Sequence, residues 1–158
     1  MRKRGNWKTY LFFILLCEGT GILSGLLSRQ GIAAFGSVEK SALTPPAIVF
    51  PIVWTILYAL MGFGAARVWL TGRSEDRTTA MGFFTLQLIV NFFWSIFFFN
   101  RMAYAFSFYW LILLWVLIVC MILSYRRLDR PAALSQIPYL LWVAFAGYLN
   151  YAVWQLNL

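Results

Sequence analysis

The sequence predicts an all-α integral membrane protein, a bundle of five transmembrane helices. Five apolar stretches divide the chain, and each has the ~20 residues that a helix needs to cross ~30 Å of hydrocarbon. Apolar residues make up 62% of the 158 residues and charged residues 11%, whereas soluble domains average about 45–50% and 25%. The thirteen Lys and Arg residues lie almost entirely between the stretches, so they delimit the predicted helices.

The first predicted span, residues 10–27, follows a basic segment and resembles the start of a signal peptide. Its apolar run is too long for a signal-peptide core, and no Ala-x-Ala cleavage site follows it. We therefore predict an uncleaved transmembrane helix. Gly21 and Gly25 are four residues apart in this span, which favours close helix packing, either inside the bundle or between two copies of the chain.

The second span, residues 47–70, begins after Pro45 and Pro46, which suit a helix start because the first N–H groups lack helical partners. The last three spans are residues 79–99, 104–125 and 135–154. They follow, in this order, the charged segment 71–77, the pair Asn100 and Arg101, and the charged segment 126–131. Five helices of this length use roughly 100 residues. We therefore predict one membrane domain over residues 1–158.

The basic residues are distributed unevenly between the two ends of the predicted bundle. The N-terminal side carries ten: Arg2, Lys3, Arg4, Lys8, Arg67, Arg73, Arg77, Arg126, Arg127 and Arg130. The opposite side carries three: Arg29, Lys40 and Arg101. Because loops rich in Lys and Arg stay in the cytoplasm, we predict a bacterial cytoplasmic-membrane protein with its N-terminus inside and its C-terminus outside. The long loop 28–44 then lies outside, as a lid or as a plain tether.

Composition argues against several classes of function. The net charge of +8 reflects membrane topology, so we predict the lipid bilayer and no nucleic acid as a partner. His is absent, which removes the commonest metal ligand, general base and axial haem ligand. Cys17 and Cys120 lie in apolar runs and form no CxxC motif, which is typical of apolar filler residues. We predict no metal site, no catalytic residue and no required cofactor, and whether the protein is an enzyme stays open.

Polar residues form a stripe in the third span. Gln87, Asn91 and Ser95 are spaced at i, i+4 and i+8, with Trp94 beside them. Amides that face lipid are unfavourable, so this stripe is expected to face the bundle interior. Two interpretations stay open: the wall of a binding pocket, or hydrogen bonds between helices worth only ~0.6 kcal/mol each in membranes.

Aromatic residues follow helical spacing in the second and fifth spans. Phe50, Trp54 and Tyr58 mark the second, and Trp142 followed by the small Ala146 marks the fifth. Such stripes are usually core packing or interface belts, but Trp54 and Trp142 lie several residues inside their spans. Together with the amides of the third span, they would form an apolar pocket with a few polar groups. Indole faces suit a flat aromatic ligand because stacking adds to burial.

Glu18 is the one acidic residue inside a predicted span. A carboxylate within the membrane is by default a functional candidate, as a ligand contact, a proton site or a partner for an interior cation. The alternative is a protonated carboxyl group that hydrogen-bonds a neighbouring helix. Both interpretations stay open.

Several groups of residues are specific when taken together. They are Thr44-Pro45-Pro46, Phe50 to Gly62 (FPIVWTILYALMG), Gln87-Leu88 with Asn91 and Trp94, Phe97-Phe98, Pro138 to Trp142 (PYLLW), Ala144 to Ala146, Leu149 to Tyr151, and Val153-Trp154. Through them the chain resembles the translocator protein family, also called tryptophan-rich sensory proteins, over nearly its whole length. The resemblance implies a five-helix bundle, often a homodimer, with a ligand cavity open toward the first loop.

The ligands of that family are tetrapyrroles such as protoporphyrin IX, and in some members sterols and isoquinoline carboxamides. From the matching positions and the aromatic stripes, the expected ligand-binding residues are Gly21, Ser24, Phe50, Trp54, Tyr58, Asn91, Trp94, Tyr104, Ser107, Trp142, Ala146 and Leu149. The first loop departs from the family, because Ala34-Phe35 stands where a Trp-Tyr pair is usual and residues 40–46 contain no Trp. Gln155 also replaces the basic residue of the family's sterol motif.

The leading hypothesis is a membrane receptor or sensory protein that binds a flat apolar ligand, such as protoporphyrin IX or haem, with a regulatory or transport role. With no His, haem would be held by stacking. The first alternative is light-dependent degradation of bound porphyrin by way of tryptophan radicals. The second is a small-molecule transporter that uses Glu18.

Overall fold

The computed structural model describes residues 6–158, which form a bundle of helices. The helices are α1 (Asn6–Leu27), α2 (Arg29–Ala34), α3 (Val49–Trp69), α4 (Glu75–Ser95), α5 (Tyr104–Leu128), α6 (Arg130–Leu134) and α7 (Ile137–Leu156). Among these residues, five helical segments are long and apolar enough to cross a membrane. The predicted fold class, an all-α bundle of five transmembrane helices, is therefore confirmed. Three of the basic residues used for the predicted orientation, Arg2, Lys3 and Arg4, lie outside the described residues.

Capping side chains set two helix starts that differ from the predicted span limits. The Ser74 hydroxyl accepts a hydrogen bond from the Arg77 backbone N–H at 3.1 Å, so α4 begins at Glu75, inside the segment expected to be a break. Asp129 caps α6 by accepting from the Ala132 N–H at 2.8 Å. These side-chain oxygens accept hydrogen bonds from N–H groups that lack partners at a helix start. The short helix α6 therefore begins within the second charged segment, where the sequence predicted no helix.

Backbone packing places α1 beside α3 and α4, and α5 beside α4 and α7. Ring contacts place α3 beside α7, so the order around the bundle is α1, α3, α7, α5 and α4, with α4 returning to α1. Close approaches fix this order. Gly62 of α3 lies directly against the backbone of Ile14 in α1. The Trp110 indole of α5 donates to the Val90 carbonyl of α4 at 2.7 Å, and the Ser24 hydroxyl of α1 donates to the Phe92 carbonyl of α4 at 2.8 Å.

The long loop between α1 and α3 lies across one end of the bundle. Gly31 of α2 packs on the backbone of Phe99, and the Phe35 ring contacts Phe99 with ring centroids 5.2 Å apart. At the far side, the Ser41 hydroxyl and the Tyr148 hydroxyl are 3.0 Å apart. The loop therefore reaches from the end of α4 to α7.

The opposite end of the bundle is held by an ion pair between α3 and the α5–α6 corner. The Arg67 guanidinium donates to both carboxylate oxygens of Asp129, from Nε at 2.8 Å and from Nη2 at 2.9 Å. These hydrogen bonds hold the pKa of the Asp129 carboxyl below its ordinary value, although partial burial opposes them and the Ala132 N–H assists them. The pair fastens α3 to the chain reversal that leads into α7.

A π-helical turn, Ile96–Asn100, continues α4 toward the loop end. The wider turn brings Phe98 into stacking contact with Trp94, with ring centroids 5.1 Å apart. Met102 then adopts a left-handed backbone conformation, with φ of 50°, and the chain reverses into α5. Such wide turns often occur at functional sites, and this one carries the aromatic side chains that meet the loop.

Candidate ligand-binding site

A chain of buried hydrogen bonds joins α3, α4 and α7 inside the bundle. The Tyr58 hydroxyl donates to Asn91 Oδ1 at 2.9 Å, and Asn91 Nδ2 donates to the Tyr139 hydroxyl at 2.7 Å. Tyr139 in turn donates to Gln87 Oε1 at 2.7 Å. The exposed fractions are 7% for Tyr58, 5% for Asn91 and 0% for the other two residues. The stripe predicted on the third span therefore faces the interior, where its amides bond neighbouring helices.

Gly21 of α1 makes room for the Tyr58 ring, which belongs to this hydrogen-bond chain. A Cβ atom at position 21 would overlap the Tyr58 ring, so the glycine lets the ring lie against the helix backbone. The glycine thereby positions the Tyr58 hydroxyl for its bond to Asn91. The predicted site residues Gly21, Tyr58 and Asn91 thus form one connected group.

A second polar group lies closer to the loop end and joins α4, α5 and α7. The Trp94 indole N–H donates to Asn150 Oδ1 at 3.1 Å, and Asn150 Nδ2 donates to the Tyr104 carbonyl at 2.8 Å. Ser107, one turn further along α5, is fully buried, and its hydroxyl has no hydrogen-bond partner among the described residues. Two predicted site residues, Trp94 and Tyr104, therefore belong to this outer group, and Ser107 lies one helical turn from Tyr104.

The predicted aromatic stripes of α3 and α7 face each other. Phe50 meets Trp142 edge-on with ring centroids 5.8 Å apart, and Trp54 meets Tyr139 edge-on at 6.2 Å. Trp54 also packs on Tyr58 at 5.5 Å, so the stripes lie directly beside the buried hydrogen-bond chain. The Trp142 indole N–H is buried and has no partner among residues 6–158.

A groove of about 380 Å³ runs along the contact between α3 and α7. Its lining is almost wholly apolar and consists of Val53, Ile56, Leu57, Pro138, Leu141, Trp142 and Phe145. The groove is open on the outer surface of the bundle, where Ile56 and Leu141 are 55% and 64% exposed. In a membrane this surface is in contact with lipid.

The remaining predicted site residues occupy three different surroundings. Ser24 is nearly fully buried, and its hydroxyl bonds the α4 backbone. Ala146 and Leu149 are buried on α7 at 7% and 8% exposure, without polar side-chain groups to orient a ligand. Glu18 is half-buried on α1 and forms no hydrogen bond or ion pair within the described residues.

Two residues outside the predicted list, Tyr139 and Asn150, hold central positions in the two polar groups. A signal for them exists in the sequence, because Tyr139, Trp142, Ala146 and Asn150 are spaced at i, i+3, i+7 and i+11, which is one face of a helix. Within the described part of the chain, no group of three Cys, Asp or Glu side chains is arranged to hold a metal ion.

These features define a class of protein: a bundle of five membrane-crossing helices with indole rings and amides on its inner faces. The chain belongs to the TspO/MBR family, whose sequence profile matches residues 13–155. It is 38% identical to the tryptophan-rich protein TspO of Chlorobaculum tepidum over 94% of this chain and 96% of that one. It is 32% identical to protein CrtK of Rhodobacter capsulatus, over 94% and 92%, and 31% identical to the translocator protein of Bos taurus, over 96% and 91%.

Proposed function

We propose that this protein is a membrane receptor or sensor for a flat apolar molecule, a tetrapyrrole such as protoporphyrin IX, held between α3, α4 and α7. The observation that carries the proposal is the pair of indoles, Trp54 and Trp142, beside a buried chain of amide and phenol groups. Ring faces provide stacking surface, and a few oriented polar groups within apolar walls are the usual composition of a ligand site.

The polar groups suit a ligand that carries oxygen acceptors at its edge. The Trp142 N–H and the Ser107 hydroxyl are buried without a partner among the described residues, and an indole N–H can only donate. A carbonyl or carboxyl oxygen of the ligand would satisfy such a donor. Since the chain has no His, haem would be held through its ring faces and edges, without an imidazole on the iron.

Titration of protoporphyrin IX into the protein in detergent or nanodiscs tests this proposal. The readout is the Soret band of the porphyrin, because the variants remove tryptophans and would change intrinsic fluorescence. We expect Trp54→Ala/Trp142→Ala to weaken binding about tenfold to a hundredfold, since each stacking contact contributes about 0.5–1.5 kcal/mol beyond burial.

The matched control removes two tryptophans that lie away from the α3–α7 contact. Trp7 on α1 and Trp115 on α5 are 61% and 39% exposed, so Trp7→Ala/Trp115→Ala leaves the site intact. Equal affinities for wild type, the site variant and the control variant would show that the indoles of α3 and α7 do not bind the ligand.

Transport that depends on Glu18 is the second candidate function. The observation in its favour is a half-buried carboxyl group in a membrane-crossing helix with no ion-pair partner among the described residues, which is a costly arrangement without a function. Glu18→Gln keeps the shape of the side chain and removes its charge. If the protein transports with this group, uptake of porphyrin into proteoliposomes stops in the variant while Soret titration still detects binding.

The proposal includes an orientation and an oligomeric state. The excess of basic residues near Arg67 and Arg73 over those near Lys40 favours a cytoplasmic N-terminus, in a bacterial cytoplasmic membrane. A membrane-impermeant maleimide applied to intact cells should then label Lys40→Cys and spare Arg73→Cys. Family resemblance favours a homodimer, which cross-linking in membranes followed by mass measurement would detect.

A further inference from the structure

The contact between α3 and α7 differs from the other contacts around the bundle. Gly62 brings the backbones of α1 and α3 together, and the Trp110 indole bonds the backbone of α4. By contrast, α3 and α7 meet through the ring pairs Phe50–Trp142 and Trp54–Tyr139 in the part of their contact toward the loop. A hydrogen bond from Gln136 Nε2 to the Leu60 carbonyl, at 2.9 Å, fastens them at the end away from the loop.

Side-chain rings can rotate aside without breaking helix backbone bonds, whereas a backbone contact requires a whole helix to move. The ring pairs Phe50–Trp142 and Trp54–Tyr139 lie toward the loop end of the contact. This part of the contact can therefore widen while the hydrogen bond from Gln136 holds the other end. No comparable freedom exists where Gly62 lies against Ile14.

The groove along this contact faces the hydrocarbon of the bilayer and not water. Ile52, Ile56 and Leu141 at or beside it are all more than half exposed, which is favourable only in lipid. Leu57, at the inner side of the groove lining, is 3% exposed, and the next residue, Tyr58, begins the buried hydrogen-bond chain. One layer of side chains therefore separates the bilayer from the interior polar groups.

The loop restricts the path from water at the end of the bundle. Phe35 packs against Phe98 and Phe99, with ring centroids 5.3 Å and 5.2 Å apart. The Asn157 side chain donates to the Glu39 carbonyl at 2.9 Å, and Ser41 meets Tyr148. These contacts hold the loop across that end of the bundle, between water and the interior.

We propose that the ligand passes directly from the bilayer into the protein between α3 and α7, and that the groove there is its first binding site. The inference rests on the proposed function, since it concerns the same ligand. The molecule that fits the groove is flat and apolar, and an oxygen acceptor at its edge would bond the Trp142 N–H, which is buried in the closed contact, after the ring has rotated. Rotation of Trp54 and Trp142 then admits it to the polar groups behind them.

Cross-linking the two sides of the groove tests this route. Ile56→Cys on α3 and Leu141→Cys on α7, in a Cys120→Ala background, can be joined by a short bis-methanethiosulfonate, which forms a reducible disulfide with each cysteine and releases methanesulfinate. Cys17 is fully buried and can stay in place. We measure the rates at which protoporphyrin IX moves from donor vesicles into proteoliposomes and back out again.

The matched control joins α5 to α7 across a second apolar groove, with Ile112→Cys and Ala144→Cys. Both of these positions line that groove and are exposed. We expect the α3–α7 cross-link to slow both rates about tenfold or more, which corresponds to at least ~1.4 kcal/mol of added barrier. Reduction of the cross-link should restore them, and the α5–α7 cross-link should leave them unchanged.

Loosening the loop provides an independent check, because Ser41→Ala/Asn157→Ala removes the two hydrogen bonds that join it to Tyr148 and to Asn157. We expect unchanged transfer rates; faster transfer would place the route at the loop and overturn the inference. Unchanged rates in the α3–α7 cross-linked protein, or equal slowing by both cross-links, would also overturn it. Failure of the protein to bind porphyrin before cross-linking would instead refute the proposed function, and the route with it.

Discussion

The Tyr139 hydroxyl links Asn91 to Gln87 in the buried hydrogen-bond chain, and Tyr139→Phe removes this hydroxyl while keeping the ring. The substitution breaks the bond from Asn91 and the bond to Gln87, both 2.7 Å long. Hydrogen bonds between membrane helices average ~0.6 kcal/mol, with a maximum near ~1.7 kcal/mol. Since both amides remain buried and lose a partner, we expect a loss of about 1–3 kcal/mol in the free energy of unfolding.

Unfolding in mixed micelles with increasing dodecyl sulfate, followed by far-UV circular dichroism, measures this loss. Tyr58→Phe removes a single bond, to Asn91, and should cost about half as much. Tyr109→Phe is the control, because Tyr109 is 61% exposed on α5. If Tyr139→Phe destabilises the protein no more than Tyr109→Phe does, the buried chain contributes nothing to stability and the reasoning from its geometry is refuted.

Two further predictions concern helix packing and pH. Gly62→Ala should destabilise the bundle by about 1–3 kcal/mol in the same assay, because the added Cβ would lie 2.5 Å from the Ile14 backbone nitrogen. The control is Gly82→Ala, which should be neutral or stabilising because the space around Gly82 is open. Asp129→Asn should cost about 1–3 kcal/mol, since it weakens a charged bidentate bond to Arg67. Because folding lowers the Asp129 pKa, its contribution to stability is complete above the unfolded value of about 4 and is lost as the pH falls through the folded value. Urea unfolding monitored between pH 3 and pH 7 should show this loss in wild type and not in the variant; a parallel pH dependence in both would contradict it.

The membrane-crossing helices could be predicted from the sequence because lipid leaves few alternatives. A backbone inside hydrocarbon must satisfy its own polar groups, so an apolar run of sufficient length has to be helical. The same reasoning placed the stripe of Gln87 and Asn91 inside the bundle. It could not identify Tyr139 as the partner of Asn91, because that pairing depends on the rotation and depth of α7 relative to α4.

The short elements were harder to predict because tertiary contacts stabilise them. The helix α2 has only six residues, too few to be stable alone, and it forms where Gly31 packs on Phe99. The π-helical turn Ile96–Asn100 likewise has no signature in an apolar run rich in Phe. Sequence patterns indicate whether a segment lies in lipid or in water. The conformation of these short elements depends instead on contacts with neighbouring side chains.

The positions of the hydrogen bonds show where the bundle can open. α4 bonds α3 and α7 through Asn91, and its backbone carbonyl groups accept from Trp110 of α5 and Ser24 of α1. Motion of α4 would therefore disturb contacts with all four other membrane-crossing helices. Separation of α3 from α7 at the loop end mainly displaces rings, while the bond from Gln136 acts at the other end. The proposed route between α3 and α7, where Trp54 and Trp142 lie, therefore breaks fewer of these hydrogen bonds than a displacement of α4 would.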